Sequence, residues 1–453
     1  MKRFLYLILA FSISYSSSHA QKFWTLEECI KYALDNNLQI KRQKLNSEIA
    51  STTYSQSKLE YIPSVSAGSS FSMGSGRALN TNSYQYANNT KQGSAYLSAN
   101  LILFDGFLRS NTIQKTKFDL MSSLQSLEKA KNDISINIAT YYLQVLYFQE
   151  ILEVNKSQLD VTQQRVEKTK KLVEVGNSAR GTLLEIQAQA AAEKVNVTNG
   201  QNNVNIGYLN LTQLLDLDSV ANFQIYKPIG LNSDSLTIPA SVLTIYNEAE
   251  LRMPQIKGAE YNLESYKRSM NISKSRLYPQ LSISGDLYTQ YDLLSKIPVD
   301  PSNLDPNGPK KNYPFNDQLK DKFYKQFSVN LNIPIFNKLQ ARSNVSISKV
   351  RVLDAEIAYS QAKQVLYKEI QQAHAEALAS YDNFNSRKEA VISTEEAFKY
   401  SQQKFDVGMI SAVDFNIAKN NLTKAKSDLV QSKYEFIFKV KVLEFYTGSA
   451  LSL

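Results

Sequence analysis

The most regular pattern in the chain lies in the segment ISINIATYYLQVLYFQEIL at residues 134–152. Its apolar residues recur at alternating intervals of four and three, which is the spacing of a coiled-coil seam. They are Ile134, Ile138, Tyr141, Val145, Phe148 and Leu152. An ordinary amphipathic core helix would show the same spacing, so the length of the surrounding helix has to decide between the two.

Glycine and proline, which interrupt helices, are absent for long stretches around this segment. Neither residue occurs in 107–175 or in 335–407. A helix filling such a window would be about 100 Å long, several times the usual globular helix. Each window is followed by a glycine and a second helical stretch, at about 182–215 and 413–446. The sequence therefore predicts two long antiparallel helical hairpins with tight tips.

The two hairpins belong to a longer internal repeat. The tripeptide at 39–41 recurs at 255–257, and Pro63 recurs as Pro279 at the same offset. Two further matches have a larger offset, namely 109–111 with 342–344 and 175–176 with 407–408. This order of matches predicts a first repeat at 21–230 and a second at 231–453, with about 17 residues gained in the second copy between the matched positions. The period is too long for a solenoid.

Between the helices the apolar period changes from about 3.5 residues to two. Alternating apolar and short polar residues occupy four stretches, at 64–73, 94–103, 280–287 and 326–335. Each is about ten residues long, which a tilted strand needs to cross a bilayer. A half-buried strand of a soluble sandwich would alternate in the same way, but the sequence shows no further strands for a second sheet. Polar segments at 74–93 and 292–322 are predicted to be hairpin loops.

Four strands are too few to close a barrel. An open edge in lipid leaves backbone groups unpaired, and bacterial barrels start at eight strands. The chain is therefore expected to associate, with two, three or four copies giving 8, 12 or 16 strands. These physical arguments alone leave the three possibilities open.

The N-terminus has the pattern of a secretory signal at residues 1–20. Lys2 and Arg3 are followed by an apolar run at 4–13 and by a small-residue cleavage site at 18–20. A membrane anchor is the alternative, but the apolar run is short. Cys29 lies too far into the mature chain to accept a lipid and is interpreted as a buried residue of a short helix.

Composition excludes several classes of function. The 51 Lys and Arg against 42 Asp and Glu give a formal net charge of +9, which is spread thinly and disfavours nucleic-acid binding. With one cysteine and two histidines, an intrachain disulfide is excluded, and zinc sites and histidine triads nearly so. His374 has no metal-ligand partner at helical spacing. We predict no enzyme, cofactor or metal, although an active site of Asp and Glu alone remains formally possible.

Several motifs give the chain a family resemblance. They are the segment 25–30, Asn36-Asn37, the two proline-led strands, Phe104-Asp105-Gly106 and the two Val-Gly tips. With these motifs and the twofold repeat, the chain resembles the TolC family of outer-membrane efflux proteins over essentially its whole mature length. The resemblance implies a membrane α+β protein, a homotrimeric duct in which four strands per protomer share a 12-stranded β-barrel. Helical hairpins would continue the duct as an α-barrel through the periplasm, with a mixed belt near 216–246.

The resemblance also implies a function. The chain would be the exit duct of a tripartite efflux or type I secretion system, conducting small molecules or proteins passively from an inner-membrane pump. A periplasmic adaptor protein would dock on the helical tips. A soluble periplasmic coiled-coil scaffold or adaptor is the alternative.

The resemblance assigns candidate site residues near the tips. Asp414 matches an acidic ring that narrows the periplasmic mouth, although an exposed aspartate is also favourable at a helix start. Phe405 would pack the closed tip or simply belong to the core, and Arg180 would cross-link neighbouring tips. The residues expected to dock the adaptor are Val175, Gly176, Arg180, Val407, Gly408 and Met409. Matching Ala188 with Ala418 makes the first tip two residues longer and places Leu184 opposite Asp414. The second strand exit, at 336–338, lacks the glycine of the first.

Overall fold

The computed structural model describes residues 23–80, 85–217, 219, 223–228, 237–238, 241–302, 305 and 308–453. The predicted signal at 1–20 lies outside the described residues. The chain divides into two compact units, each discontinuous in sequence. Unit 1 comprises Met1–Ser47, Ser123–Ala259 and Tyr359–Leu453, and unit 2 comprises Glu48–Ser122 and Glu260–Ala358. Each unit thus draws on both predicted repeats, whose boundaries at 230 and 231 stay a prediction.

The principal helices form two series of matching length. The first series is α1 (Leu26–Asn36), α2 (Leu38–Leu59), α3 (Leu108–Glu174) and α4 (Arg180–Leu214). The second is α5 (Val242–Arg252), α6 (Pro254–Ser275), α8 (Gln340–Asp406) and α9 (Ala412–Tyr446), with the short helix α7 (Phe315–Asp321) before α8. In both series the lengths are 11, 22, 67 and 35 residues. The two long hairpins predicted from the glycine-free and proline-free windows are therefore confirmed.

The helix starts refine the alignment of the two halves. The long helices α3 and α8 have equal lengths and begin at Leu108 and Gln340, so their second residues, Arg109 and Ala341, correspond. The predicted match of Arg109 with Arg342 is therefore one position out. Arg109 is buried and its Nε donates to Asp105 Oδ2 at 2.8 Å, whereas Ala341 is simply buried. The Arg-Ser-Asn tripeptide that occurs in both halves therefore does not mark structurally equivalent positions.

The main sheet has four antiparallel strands in the order β2-β3-β5-β8. They are β2 (Ser64–Asn80), β3 (Gln85–Phe104), β5 (Gln280–Asp292) and β8 (Tyr324–Asn332). Two-residue strands β1 (Phe23–Trp24) and β4 (Gln224–Ile225) pair in parallel, and β6 (Lys296–Pro298) pairs with β7 (Lys310–Asn312). Strands β2 and β8 each have one neighbour in the described sheet, so both edges are open.

The pairing register aligns the alternation of all four strands. One cross-strand row joins Leu101, Ile283 and Val329 on one face. The adjacent row, on the opposite face, is Ser64, Asn100, Ser284 and Ser328. Because residues paired across strands share a face, the sheet has one mainly apolar and one mainly polar side. The alternation predicted for four strands is confirmed, and much of the apolar side is exposed in the single chain.

Both predicted loops contain more structure than expected. Strand β2 continues to Asn80 and β3 begins at Gln85, so most of 74–93 is strand, with a register shift between Ser75 and Ala78. The segment 292–322 holds β6, β7 and α7. Both were predicted as loops because their residues are polar without alternation. A strand made largely of polar residues carries no apolar alternation by which it could be recognised.

Unit 1 has a core in which α1 packs against the long helices. Cys29 and Ala33 are fully buried there with Ile138 of α3 and Leu211 of α4, which confirms the interpretation of Cys29. The Tyr142 hydroxyl contacts the carbonyl oxygens of Trp24 at 3.0 Å and Tyr226 at 2.5 Å, which ties the β1–β4 pair to α3. Among the described residues, no helix combines the length and hydropathy that crossing a membrane requires.

The exits from β3 and β8 into the long helices use the same backbone conformation with different residues. Gly106 has φ 66°, and its counterpart Lys338 has φ 54°. A side chain on Gly106 would place Cβ 2.6 Å from the Ser275 carbonyl oxygen, so glycine is required there on two grounds. Lys338 adopts the left-handed conformation at a cost of about 1 kcal/mol.

We predict that Lys338→Gly stabilises the protein by about 1 kcal/mol, because glycine has no steric penalty at positive φ. The matched variant Gly106→Ala should destabilise it by more, since strain and a backbone clash add. Guanidinium unfolding of the detergent-solubilised protein measures both. A lower unfolding midpoint for Lys338→Gly would contradict this explanation of the second strand exit.

Candidate functional site at the helical tips

The two hairpin tips have the same length and the same backbone design. Helices α3 and α4 are separated by the segment 175–179, and helices α8 and α9 by the equally long segment 407–411. Gly176 and Gly408 have φ 78° and 79°, and the N–H of the next residue donates to the carbonyl five residues back at 2.8 Å in both tips. This is the glycine C-cap that the sequence predicted.

The equal tips overturn the predicted two-residue difference. The residue opposite Asp414 is Thr182 and not Leu184, because Asp414 and Thr182 are each the third residue of their helix. Matching Ala188 with Ala418 had relied on one alanine in an alanine-rich helix. With the corrected match, Asp414 still has no acidic counterpart in the first tip.

The two tips differ at the start of the returning helix. Ser411 precedes α9, and its Oγ accepts a hydrogen bond from the Asp414 backbone N–H at 3.1 Å. The Asp414 Oδ2 in turn accepts from the Ser411 backbone N–H at 3.4 Å, which completes a capping box, and also from the Ser411 hydroxyl at 2.7 Å. The corresponding cap in the first tip, Ala179, has no side-chain hydrogen bond. Asp414 is thus an exposed helix-start residue within one chain, and its role in a gate stays a prediction.

The tips expose apolar side chains. Val175, Val407 and Met409 are exposed by 69%, 71% and 72%, and Arg180 is exposed beside them. Apolar residues so exposed at the end of a helical hairpin are typical of a contact surface. This arrangement is compatible with docking of a partner at the six predicted residues.

Phe405 packs inside the second hairpin. Its ring lies 4.9 Å from that of Phe415, which is buried, and Phe398 lies 5.4 Å from Phe415. The guanidinium of Arg165, from α3, sits 3.5 Å from the Phe415 centroid, a cation–π contact that joins the two hairpins. Phe415 was not among the predicted site residues, although Phe398 and Phe405 are seven residues apart on one helical face.

A buried ionic cluster joins the same hairpins further from the tips. The Lys419 ammonium of α9 donates to Glu193 Oε1 of α4 at 3.0 Å and to the Gln158 carbonyl of α3 at 3.3 Å. It also contacts the Thr162 hydroxyl, which donates to Glu193. Lys419, Glu193 and Thr162 are all buried. Burial lowers the pKa of Lys419, and the adjacent Glu193 carboxylate opposes that shift.

We predict that Lys419→Met destabilises the protein by about 3–5 kcal/mol, because Glu193 is left buried without its cation. Lys419→Met combined with Glu193→Leu should recover most of that loss, since the pair is then removed together. Denaturant unfolding of both variants in detergent measures the difference. Equal losses for the single and the double variant would show that packing, and not the unpaired charge, sets the cost.

The described part of the chain contains no group of three or more His, Cys, Asp or Glu that could hold a metal ion. His374 lies within α8, as predicted.

Comparisons with known proteins agree with this architecture. The chain matches the family described as "Outer membrane efflux protein" over residues 29–216 and 245–449. It is 21% identical to outer membrane protein TolC of Escherichia coli K12 over 96% of this chain and 84% of that protein. It is 21% identical to a probable efflux pump outer membrane protein, TtgC, of Pseudomonas putida, over 89% of this chain and 79% of that protein. Toxin and drug export protein A of Aggregatibacter actinomycetemcomitans is 20% identical, over 86% of this chain and 81% of that protein.

Solved structures share the fold. The structure of CusC superposes with a TM-score of 0.77 at 18% identity, covering 96% of both chains. The outer membrane protein VceC of Vibrio cholerae gives a TM-score of 0.75 at 15% identity, covering 94% of this chain and 97% of that one. The fold and the family match together identify a channel-forming transport protein. The chain belongs to the outer membrane efflux protein family, whose location is the outer membrane with the helical part in the periplasm.

Proposed function

We propose that this chain is the exit duct of a tripartite export system, conducting cargo passively from an inner-membrane pump to the outside. The observation that supports it most directly is the four-stranded sheet, whose apolar face is continuous across all strands and exposed. Leu97, Leu101, Val329 and Leu331 would face lipid on that side. The opposite face would line a water-filled lumen. No step in this function calls for catalysis.

The duct is proposed to be a homotrimer. Both sheet edges are open, and each unpaired backbone group in hydrocarbon costs several kcal/mol, so neighbouring copies must pair along them. Three copies would give a 12-stranded barrel, the number favoured by the family resemblance among the 8, 12 and 16 that closure allows.

The partners are proposed to be a periplasmic adaptor and an inner-membrane pump. The exposed apolar tip residues Val175, Val407 and Met409 support an adaptor contact at the helical ends. Small-molecule efflux and protein secretion both remain open as the transported class. The name of one relative, toxin and drug export protein A, mentions a toxin and a drug as exported cargo.

Mass measurement of the full chain in detergent tests the assembly, and we expect three copies per particle. Pairing along β2 and β8 in a closed ring removes both open edges, and the family resemblance favours three copies over two or four. Conductance in a planar bilayer then tests the duct itself. A monodisperse monomer that inserts into membranes would overturn this architecture.

The gate hypothesis concerns Asp414. Three symmetry-related carboxylates near one axis would attract cations and bind multivalent ones. We expect Asp414→Asn to lower cation selectivity and to abolish block by a trivalent cation while the trimer persists. Single-channel recording of wild type and variant, with and without the trivalent cation, measures both effects.

The capping box provides a matched control for this test. Ser411→Ala removes the hydroxyl that caps α9 but keeps the carboxylate. It should cost about 1 kcal/mol in stability and leave selectivity and block unchanged. If Asp414→Asn behaves like Ser411→Ala in the recordings, the constriction lies elsewhere and Asp414 is a capping residue.

A further inference from the structure

The polar face of the sheet carries a row of three tyrosines. Tyr96 of β3 is paired with Tyr288 of β5, and Tyr288 is paired with Tyr324 of β8. On β2 the same row holds Gly68, over which the Tyr96 ring lies. All three rings are exposed, and they line an open pocket of about 780 Å³. Three aromatic rings in one row stand out on a face whose other rows consist mainly of Ser, Asn and Gln.

The next row of this face contains a single charge. It consists of Ser66, Ser98, Asp286 and Gln326. The Ser98 hydroxyl donates to Asp286 Oδ1 at 2.6 Å, and Oδ2 accepts no hydrogen bond from the residues that the structure describes. From the tyrosine row to the ends of the strands at Ser64 and Asn332, Asp286 is the one charged side chain in the paired rows of this face. A carboxylate therefore stands beside the aromatic row with one oxygen available.

The pocket is bounded on the other side of the tyrosines by Lys322. Its ammonium donates to Gln318 Oε1 at 3.4 Å and lies 5.7 Å from the centroid of the Tyr313 ring. Lys322 precedes Tyr324 by two residues, whereas Gln326, the partner of Asp286, follows it by two. The positive and negative groups are thus separated by the row of rings, and the half of the pocket next to Asp286 is anionic.

Aromatic faces and a nearby carboxylate together favour one class of ligand. A cation is attracted to the face of a tyrosine ring, and the attraction increases when the cation is poorly hydrated. An apolar or aromatic surface on the same molecule would gain further from contact with the rings. Inorganic cations are more strongly hydrated, neutral molecules lack the attraction to Asp286, and anions are repelled by it.

We propose that Tyr96, Tyr288, Tyr324 and Asp286 form a binding site for organic cations with an aromatic or apolar surface. The site rests on the proposed function only in that the polar face lines the lumen, which brings cargo to it. All four residues belong to one protomer, so the site needs no neighbouring copy. It lies on the polar face of the sheet, within unit 2, and would hold cargo inside the barrel before release.

Protection of an introduced cysteine tests the site in the full-length protein. Gln326→Cys places a thiol beside Asp286, and the one native cysteine, Cys29, is fully buried. We expect tetraphenylphosphonium to slow labelling of this cysteine by a water-soluble maleimide. Adding Asp286→Asn, or Leu at all three tyrosines, should weaken the apparent affinity of the cation about tenfold. Asp286→Glu should retain it.

Two controls separate this effect from general blockage. Triphenylphosphine oxide, a neutral molecule of similar shape, should give no comparable protection. Asn332→Cys lies on the same face six residues along β8, about 20 Å away, and should be labelled at the same rate with and without the cation. Equal protection by the neutral molecule, at Asn332→Cys, or in the Asp286→Asn background would overturn the proposal.

The outcome is distinguishable from failure of the duct. If the particle is a conducting trimer but the cation gives no protection that depends on Asp286, the binding site is refuted and the duct stands. If the particle is a monomer but the protection and its dependence on Asp286 persist, the trimeric duct is refuted and the site stands. Mass measurement of each variant confirms that a loss of protection does not come from misassembly.

Discussion

Two open sheet edges are the constraint on which the rest of the structure depends. Strands β2 and β8 each leave one side of their backbone unpaired in the described sheet. In water such an edge binds water, but in hydrocarbon it must find another strand. The proposed association of several copies follows from this requirement. The apolar face of the sheet is also exposed in the single chain, and the cross-strand pairing keeps the apolar residues of the four strands on that one face.

The sequence predicted those features that one local physical rule controls. A helix of 67 residues needs a long stretch without glycine or proline and a sustained apolar spacing. Both features are visible in the sequence around residues 134–152. The strands that alternate were found for the same reason. The strand extensions toward Asn80 and from Gln85 were missed because their residues are largely polar and show no apolar alternation. The alignment of the two repeats was wrong where it was based on a short sequence match, such as Arg109 with Arg342. The positions at which the long helices begin give the correct alignment.

The site was less predictable because its contacts join distant parts of the chain. Lys419 lies on the second hairpin and Glu193 on the first, and each has the sequence context of an ordinary surface residue on a long helix. Only the packing of the hairpins buries them together. By contrast, the partnership of Ser411 with Asp414 follows the spacing of a capping box and could have been recognised from sequence. Phe405 illustrates the intermediate case, since an aromatic at helical spacing indicates a packed face without revealing its partner.

The unequal helix caps have a consequence for stoichiometry. Each copy carries one tip closed by a serine–aspartate pair and one that begins at Ala179 without a side-chain cap. A ring of three copies would therefore present two chemically different ends in alternation, so the mouth would have threefold and not sixfold symmetry. A partner that recognises the acidic end alone would saturate at one molecule per copy. A partner that binds at two molecules per copy must have a surface tolerant of both ends, or must adopt two conformations around the ring.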